Sequence, residues 1–165
     1  MTKVLVVHGS KLGGTAEIAE WVGADLREVA DLDVDVMPAA ASVDVTAYDG
    51  VVIGGALYAG RWHRDARRFA RSNAGKLSHL PVWAFSSGPL DRSAEEGIQP
   101  TRSVHKIIQR VGVRDHATFG GRLEPDAKGF MVSSLAKSSG GDYRDRRQIR
   151  DWALGIAKEL EAVDR

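Results

Sequence analysis

The chain contains no cysteine among its 165 residues. That absence removes disulfides, thiolate nucleophiles and cysteine-ligated metals, and it suits a reducing compartment. Long apolar runs are missing as well: no stretch approaches the roughly 20 residues of a helical membrane span. An excess of one charge is missing too. The 23 Lys and Arg against 22 Asp and Glu leave a formal charge of +1, so the whole molecule neither seeks nor repels polyanions, and no nucleic-acid partner is expected. The five histidines are scattered without metal-ligand spacing, so no metal site is expected. Carboxylates such as Asp44 and Asp49 lack a paired arrangement of the hydrolytic kind. Repeats and low-complexity tracts are absent. Met1-Thr2-Lys3 leads straight into apolar residues. That start implies no signal peptide and a cytoplasmic chain.

What is present is an ordinary globular composition, 43% hydrophobic and 27% charged, in a length that suits one domain over residues 1–165. Val4-Leu5-Val6-Val7 is a continuous apolar run with three β-branched residues, the signature of a strand covered on both faces. Ile18, Val22, Leu26 and Val29 recur at helical spacing. Val34 and Val36 alternate with Asp33 and Asp35, which reads as a strand near a sheet edge. Residues 39–49 connect to a second buried strand at Val51-Val52-Ile53-Gly54-Gly55. A helix is predicted from about Asp65 to Ser72, then a strand at Pro81 to Phe85. A helix is marked by Val104, Ile107, Ile108 and Val111, and a strand by His116 to Gly120. Residues 121–143 read as irregular apart from Phe130-Met131-Val132. The last helix is predicted over about Arg146 to Val163, with Ile149, Trp152, Ile156 and Leu160 on one face.

Strand and helix therefore alternate five times. Parallel strands need right-handed helical crossovers, which cover both faces of the sheet. The expected fold is an α/β three-layer sandwich: a five-stranded parallel sheet of order 2-1-3-4-5 with helices on both faces. Such sheets bind ligands beyond the carboxyl ends of their strands, where the strand order reverses. Three loops leave those ends, at residues 9–15, 56–63 and 86–92.

The first loop carries Ser10, Lys11, Leu12, Gly13, Gly14 and Thr15. Glycines permit close backbone approach, the hydroxyls donate, and the free N–H groups of the following helix favour an anion such as phosphate. An ordinary capped strand-to-helix turn has the same composition and stays open as an alternative. The second loop, Ala56-Leu57-Tyr58-Ala59-Gly60-Arg61-Trp62-His63, holds Tyr58 and Trp62 where burial does not obviously require aromatics. The third, Ser86-Ser87-Gly88-Pro89-Leu90, is small and polar and offers backbone N–H groups. A phosphate cradle, aromatic walls and a backbone-lined edge together suit a phosphorylated planar ring, and flavin mononucleotide (FMN) fits.

These segments resemble the flavodoxin superfamily. Ser10 to Thr15 looks like its phosphate loop. Val51-Val52-Ile53-Gly54 followed by Gly60-Arg61-Trp62-His63 resembles a narrower group, the bacterial menaquinone-dependent protoporphyrinogen oxidases. So do Phe85-Ser86, Phe119-Gly120-Gly121-Arg122-Leu123, Ser139-Gly140-Gly141-Asp142 and Asp151-Trp152. The resemblance implies FMN held by Ser10, Lys11, Gly13, Gly14 and Thr15. It implies a ring walled by Ala56 to Trp62 and bordered by Ser86 to Leu90, with the flavin carrying the chemistry. The implied reaction passes electrons from a reduced organic substrate of porphyrinogen type to a quinone. Leu12 departs from the hydroxyl residue usual in flavodoxins. Tyr58 and Ala59 stand where the oxidases tend to have a basic residue and Tyr, and residues 122–137 form a shorter segment than theirs.

Arg64, Arg67, Arg68 and Arg71 share a helix face, with Arg61 just before. They read either as a basic patch for an acidic partner or anionic membrane surface, including peripheral contact at the inner face of the cell membrane, or as a solvated face. His63 reads either as a proton donor near the ring or as a helix-start residue. No protein nucleophile is expected. Flavodoxin carriers are as a family strongly acidic, and +1 with an arginine row points away from them. A flavodoxin-type electron carrier nevertheless stays as the alternative to an enzyme, and a flavin-free interaction module as a third reading. The oligomeric state is not legible.

Overall fold

A computed structural model describes residues 2–11, 13–29, 31–88, 99–123, 141–142 and 144–163. The long strands are β1 (Thr2–Gly9), β2 (Leu32–Pro38), β3 (Gly50–Tyr58), β5 (Val82–Ser87) and β6 (Asp115–Phe119). They form one parallel sheet in the order β2-β1-β3-β5-β6. Between them lie α1 (Gly14–Val29), α2 (Arg64–Ser72), the four-residue α3 (Ala74–Leu77) and α4 (Arg102–Val111), with α5 (Arg146–Val163) last. Counted among the long strands alone, this is the expected order. The added piece is β4 (Arg61–Trp62), which folds back antiparallel on the end of β3.

The strand register follows from burial. Val4, Leu5, Val6 and Val7 are fully buried, as a central strand between β2 and β3 demands. β2 pairs only with β1, from Thr2 opposite Leu32 to His8 opposite Pro38, so its alternation of valine and aspartate matches an edge strand with one wet face. α1 and α5 cover one face of the sheet, where Ile18, Val22, Leu26, Ile149, Ile156 and Leu160 pack with Trp83, Phe85 and Phe119. α2, α3 and α4 cover the other, with Leu5, Val7, Val51, Ile53, Trp62, Phe69 and Leu77 in the core.

Two adjacent glycines of β3 make room for two aromatic rings. Successive strand residues point to opposite faces. An added Cβ at Gly54 would lie 2.7 Å from Phe85 Cε2, on the α1/α5 side. One at Gly55 would lie 2.6 Å from Trp62 Cδ1, on the α2/α4 side. On the first side Phe85, Phe119 and Trp152 form a mutual cluster, with centroids 5.5–6.0 Å apart. The Trp152 indole also donates to Asp115 Oδ2 at 3.0 Å.

α1 and α5 are clamped by charge. Asp25, 1% exposed, accepts from Arg146 Nη1 and Nη2 at 2.6 and 2.7 Å and from Arg150 at 3.3 Å. Arg150 also reaches Glu28, and Arg144 pairs with Glu17 at 2.8 Å.

Three expectations are corrected. Residues 121–143 are not wholly irregular, since β7 (Arg122–Leu123) pairs antiparallel with β8 (Gly141–Asp142). The loop expected from Ala56 is still strand as far as Tyr58. Ser86 and Ser87 belong to β5 rather than to the loop after it. The Phe130 to Val132 segment lies outside the described residues, as do Ser139 and Gly140.

Candidate functional site

The carboxyl ends of β1, β3 and β5 meet at one edge of the sheet, in register from His8 opposite Gly54 and Gly55 opposite Ser86. The first loop enters α1 through Gly13, whose φ of +85° is the left-handed region that glycine tolerates best. The first backbone bond into the helix is Glu17 N–H to Gly13 C=O at 3.1 Å. The N–H groups of Gly14, Thr15 and Ala16 therefore have no acceptor within the helix, as at any helix start. Thr15 is buried, Ser10 and Gly14 are half-buried, and Lys11 and Gly13 are exposed. Among the described residues, the chain neighbours of Gly13 aside, no atom lies within 4 Å of the position of an added Gly13 Cβ. An open glycine turn, N–H donors without an acceptor inside the helix and the positive end of a helix dipole make a chemically suitable cradle for a phosphate.

The second loop is a tight hairpin. Positive φ at Ala59 (51°) and Gly60 (77°) is the pattern of a two-residue type I′ turn. The turn lets Arg61 and Trp62 pair back on Tyr58 and Leu57. Ala59 is the one non-glycine residue with positive φ among those described. Such a backbone costs about 1 kcal/mol. Tyr58, 39% exposed, reaches across to the first loop, where its hydroxyl accepts the Lys11 N–H at 2.9 Å. Its ring meets that of His63 edge to face at 6.0 Å.

Trp62 does not wall an open face, contrary to expectation. It is 1% exposed and sits beneath the hairpin in the space left by Gly55. Its Nε1 donates to Ser86 Oγ at 2.8 Å, and its carbonyl accepts from Arg67 Nε at 3.0 Å. Ser86 likewise is not a free edge group. It is 1% exposed, and its hydroxyl lies 2.8 Å from His116 Nε2. Burial pushes His116 down to about 4, outweighing the opposite pull of Asp115. Its Nδ1 has no partner among the described residues. The chain Trp62–Ser86–His116 thus ties the hairpin to β5 and β6 from below.

His63 serves as the N-cap of α2, with Nδ1 accepting the Asp65 N–H at 3.2 Å. An Nδ1 that accepts places the neutral ring's proton on Nε2. The third loop packs closely on the second: an added Gly88 Cβ would lie 2.9 Å from Leu57 Cβ. The Gly88 N–H is not open to a ligand, because it donates to Phe119 C=O at 3.3 Å. Ala56 is buried and Leu57 half-buried. Leu12, Pro89 and Leu90 lie outside the described residues.

Sequence reasoning missed the supporting network and the neighbour of this site. A cleft of about 710 Å³ opens beside the hairpin. It runs between α2 and α4, with Ala59, Gly60 and Arg61 at one end. The signal available was the cationic spacing of α4, Arg102, Lys106 and Arg110.

Comparison with known proteins agrees with this architecture. The flavodoxin domain family model matches residues 5–135. The chain is 27% identical over 170 aligned residues to the Escherichia coli K12 protein named protoporphyrinogen IX dehydrogenase [quinone], covering 96% of this chain and 94% of that one. Among solved structures, a point mutant of the flavodoxin from Pseudomonas aeruginosa superposes with a TM-score of 0.64 at 15% identity, over 97% of this chain and 99% of that one. The rubredoxin oxygen:oxidoreductase of Desulfovibrio gigas gives 0.67 at 15% identity, over 98% of this chain and 37% of that one.

Proposed function

Since the chain belongs to the flavodoxin domain family, we propose that it is an FMN-dependent oxidoreductase. It takes electrons from a reduced organic substrate of the porphyrinogen class and passes them to a quinone. The observation that carries the reading is the Lys11 N–H to Tyr58 hydroxyl bond at 2.9 Å. It draws an open helix-start cradle and an exposed aromatic ring to one point at the sheet edge. The similarity to the E. coli dehydrogenase over 96% of the chain supports the substrate class and the quinone.

In this reading Ser10, Lys11, Gly13, Gly14 and Thr15 hold the phosphate. Leu57, Tyr58, Ala59 and Gly60 wall the ring, and Gly88 with the Pro89–Leu90 segment borders its other edge. Ala56 and Ser87 shape the site through backbone. Trp62 and Ser86 hold the hairpin in place from beneath and touch no ligand. Bound flavin supplies the two-electron chemistry, and the protein supplies binding and orientation. His63 keeps the α2 N-terminus and the Tyr58 ring in place.

The near-zero charge favours the enzyme over a carrier, because acidic carriers rely on long-range attraction to basic partners. The test is the visible spectrum of the protein after incubation with FMN, followed by anaerobic mixing with protoporphyrinogen. Bound flavin that is bleached by the substrate supports the proposal. Absent flavin bands overturn it. Flavin that stays oxidised with the substrate, yet is reduced by a flavodoxin reductase, turns the assignment to a carrier.

A further inference from the structure

The cleft beside the hairpin is strongly cationic. Six of its lining residues are cations: Arg61, Arg67, Arg71, Arg102, Lys106 and Arg110. None of its described lining residues is acidic. Arg67 and Arg71 lie one turn apart on α2. Arg102, Lys106 and Arg110 lie on three successive turns of α4. Like charges at such spacing destabilise an isolated helix. At and just before α5 the arrangement is different: Arg144, Arg146 and Arg150 all reach carboxylates. Among the described residues, no carboxylate pairs with any of the six cleft cations.

The cleft is also built. Thr101 caps α4 by accepting the Val104 N–H, and its own hydroxyl donates to Gly60 C=O at 2.7 Å, pinning the helix start to the hairpin. Arg67 pins α2 to the same hairpin through Trp62 C=O. The fully buried Val111 and Ala70 give it an apolar base. A volume of about 710 Å³ is that of a small-molecule site, and its concave form does not suit a flat bilayer.

We propose that this cleft binds the carboxylates of the substrate, an organic polycarboxylate of tetrapyrrole size. This rests on the oxidoreductase reading given above. Ala59 and Gly60 line the cleft and follow Tyr58 directly in the chain, so the anion site and the flavin wall share one hairpin. The acidic edge of the ligand is held by the cations, and its carbon body lies against the apolar base and the hairpin.

The test uses full-length protein loaded with FMN and the stable probe mesoporphyrin IX, titrated by fluorescence, beside its dimethyl ester. Arg71→Glu combined with Lys106→Glu is the main variant, and Arg110→Ala a milder one in case the double variant folds poorly. Each lost charge-assisted contact weakens binding by about tenfold. The expected result is mesoporphyrin affinity lower by about tenfold in R110A and about a hundredfold in the double variant. FMN affinity is unchanged, and the ester binds weakly to every form. Equal mesoporphyrin affinity in wild type and variants overturns the proposal, as does an ester that binds as well as the acid. Vesicles of anionic phosphatidylglycerol form a second arm. Charge-dependent vesicle binding with unchanged mesoporphyrin affinity overturns the small-molecule site and assigns the face to membrane. If FMN fails to bind while mesoporphyrin binding still depends on the cleft cations, the flavin reading falls and the cleft stands.

Discussion

Replacing Gly55 by alanine tests the join between the hairpin and the sheet. The new Cβ would lie 2.6 Å from Trp62 Cδ1, whereas carbon atoms pack best at about 3.5–4.0 Å. The indole must therefore withdraw by about 1 Å. Its Nε1 now sits 2.8 Å from Ser86 Oγ, and the same withdrawal takes that distance beyond hydrogen-bond range. Overpacking costs about 1–3 kcal/mol. A buried donor left unsatisfied adds about 1–3 kcal/mol. The lower backbone entropy of alanine in the unfolded chain offsets about 0.5–1 kcal/mol. The net loss is about 1–5 kcal/mol, or roughly 2–20 °C in melting temperature for a chain of this size. Denaturant titration followed by tryptophan fluorescence measures it, and FMN affinity measured on the same samples falls as the hairpin shifts. Gly155→Ala is the control. Gly155 is an exposed position inside α5 with no atom within 4 Å of an added Cβ, and alanine there stabilises by about 0.5–1 kcal/mol. A Gly55→Ala protein as stable as wild type, with unchanged flavin affinity, refutes the role given to Trp62.

Arg146→Ala leaves the carboxylate of Asp25, 1% exposed, with only the longer Arg150 contact, so unfolding free energy should fall by about 1–3 kcal/mol in denaturant titration. His116 makes stability depend on pH. Its ordinary value of 6.5 falls to about 4 in the folded chain, so between those values the unfolded chain takes up a proton that the folded one refuses. Its contribution is complete above pH 6.5 and is lost as pH falls toward 4, by at most about 3 kcal/mol; His116→Asn should flatten that part of the stability–pH curve, and an unchanged slope would place the titrating group elsewhere. Thr15→Ala removes a buried hydroxyl from the cradle and should raise the FMN dissociation constant by about tenfold in a flavin fluorescence titration, with little change in folding free energy.

Most of the fold was legible because burial leaves period-dependent marks. Val4 to Val7 have no polar interruption, and β1 lies between two neighbours. Asp33 and Asp35 interrupt β2 because one of its faces is wet. Ile149, Ile156 and Leu160 mark α5 because its apolar stripe faces the sheet. The turn into α1 was legible as a turn, because glycine and hydroxyl residues stand between a buried run and a helical period.

The side-chain directions within the second loop were not legible. Tyr58 and Trp62 are both loop aromatics in sequence, yet one is exposed and the other buried. What separates them is Gly55, whose missing side chain leaves the space that the indole fills. The value of a glycine to a residue seven positions later depends on the hairpin turn, which Ala59 makes without the usual Asn-Gly signal. Ser86 looked like a polar loop residue for a similar reason, since nothing local shows that β5 continues through it to meet Trp62 and His116. The cationic cleft was half legible. The arginine row of α2 stood out, but its meeting with α4 follows from the placement of β5 next to β3, which brings two helices far apart in sequence onto one face.

In the proposed reaction, flavin held at the start of α1 is reduced by a porphyrinogen and reoxidised by a quinone. The most direct measurement is an anaerobic absorbance titration of the FMN-loaded protein with protoporphyrinogen, followed by a menaquinone analogue. The expected result is stoichiometric bleaching of the oxidised flavin band and its return when the quinone is added. Flavin that remains oxidised in the presence of excess protoporphyrinogen contradicts it.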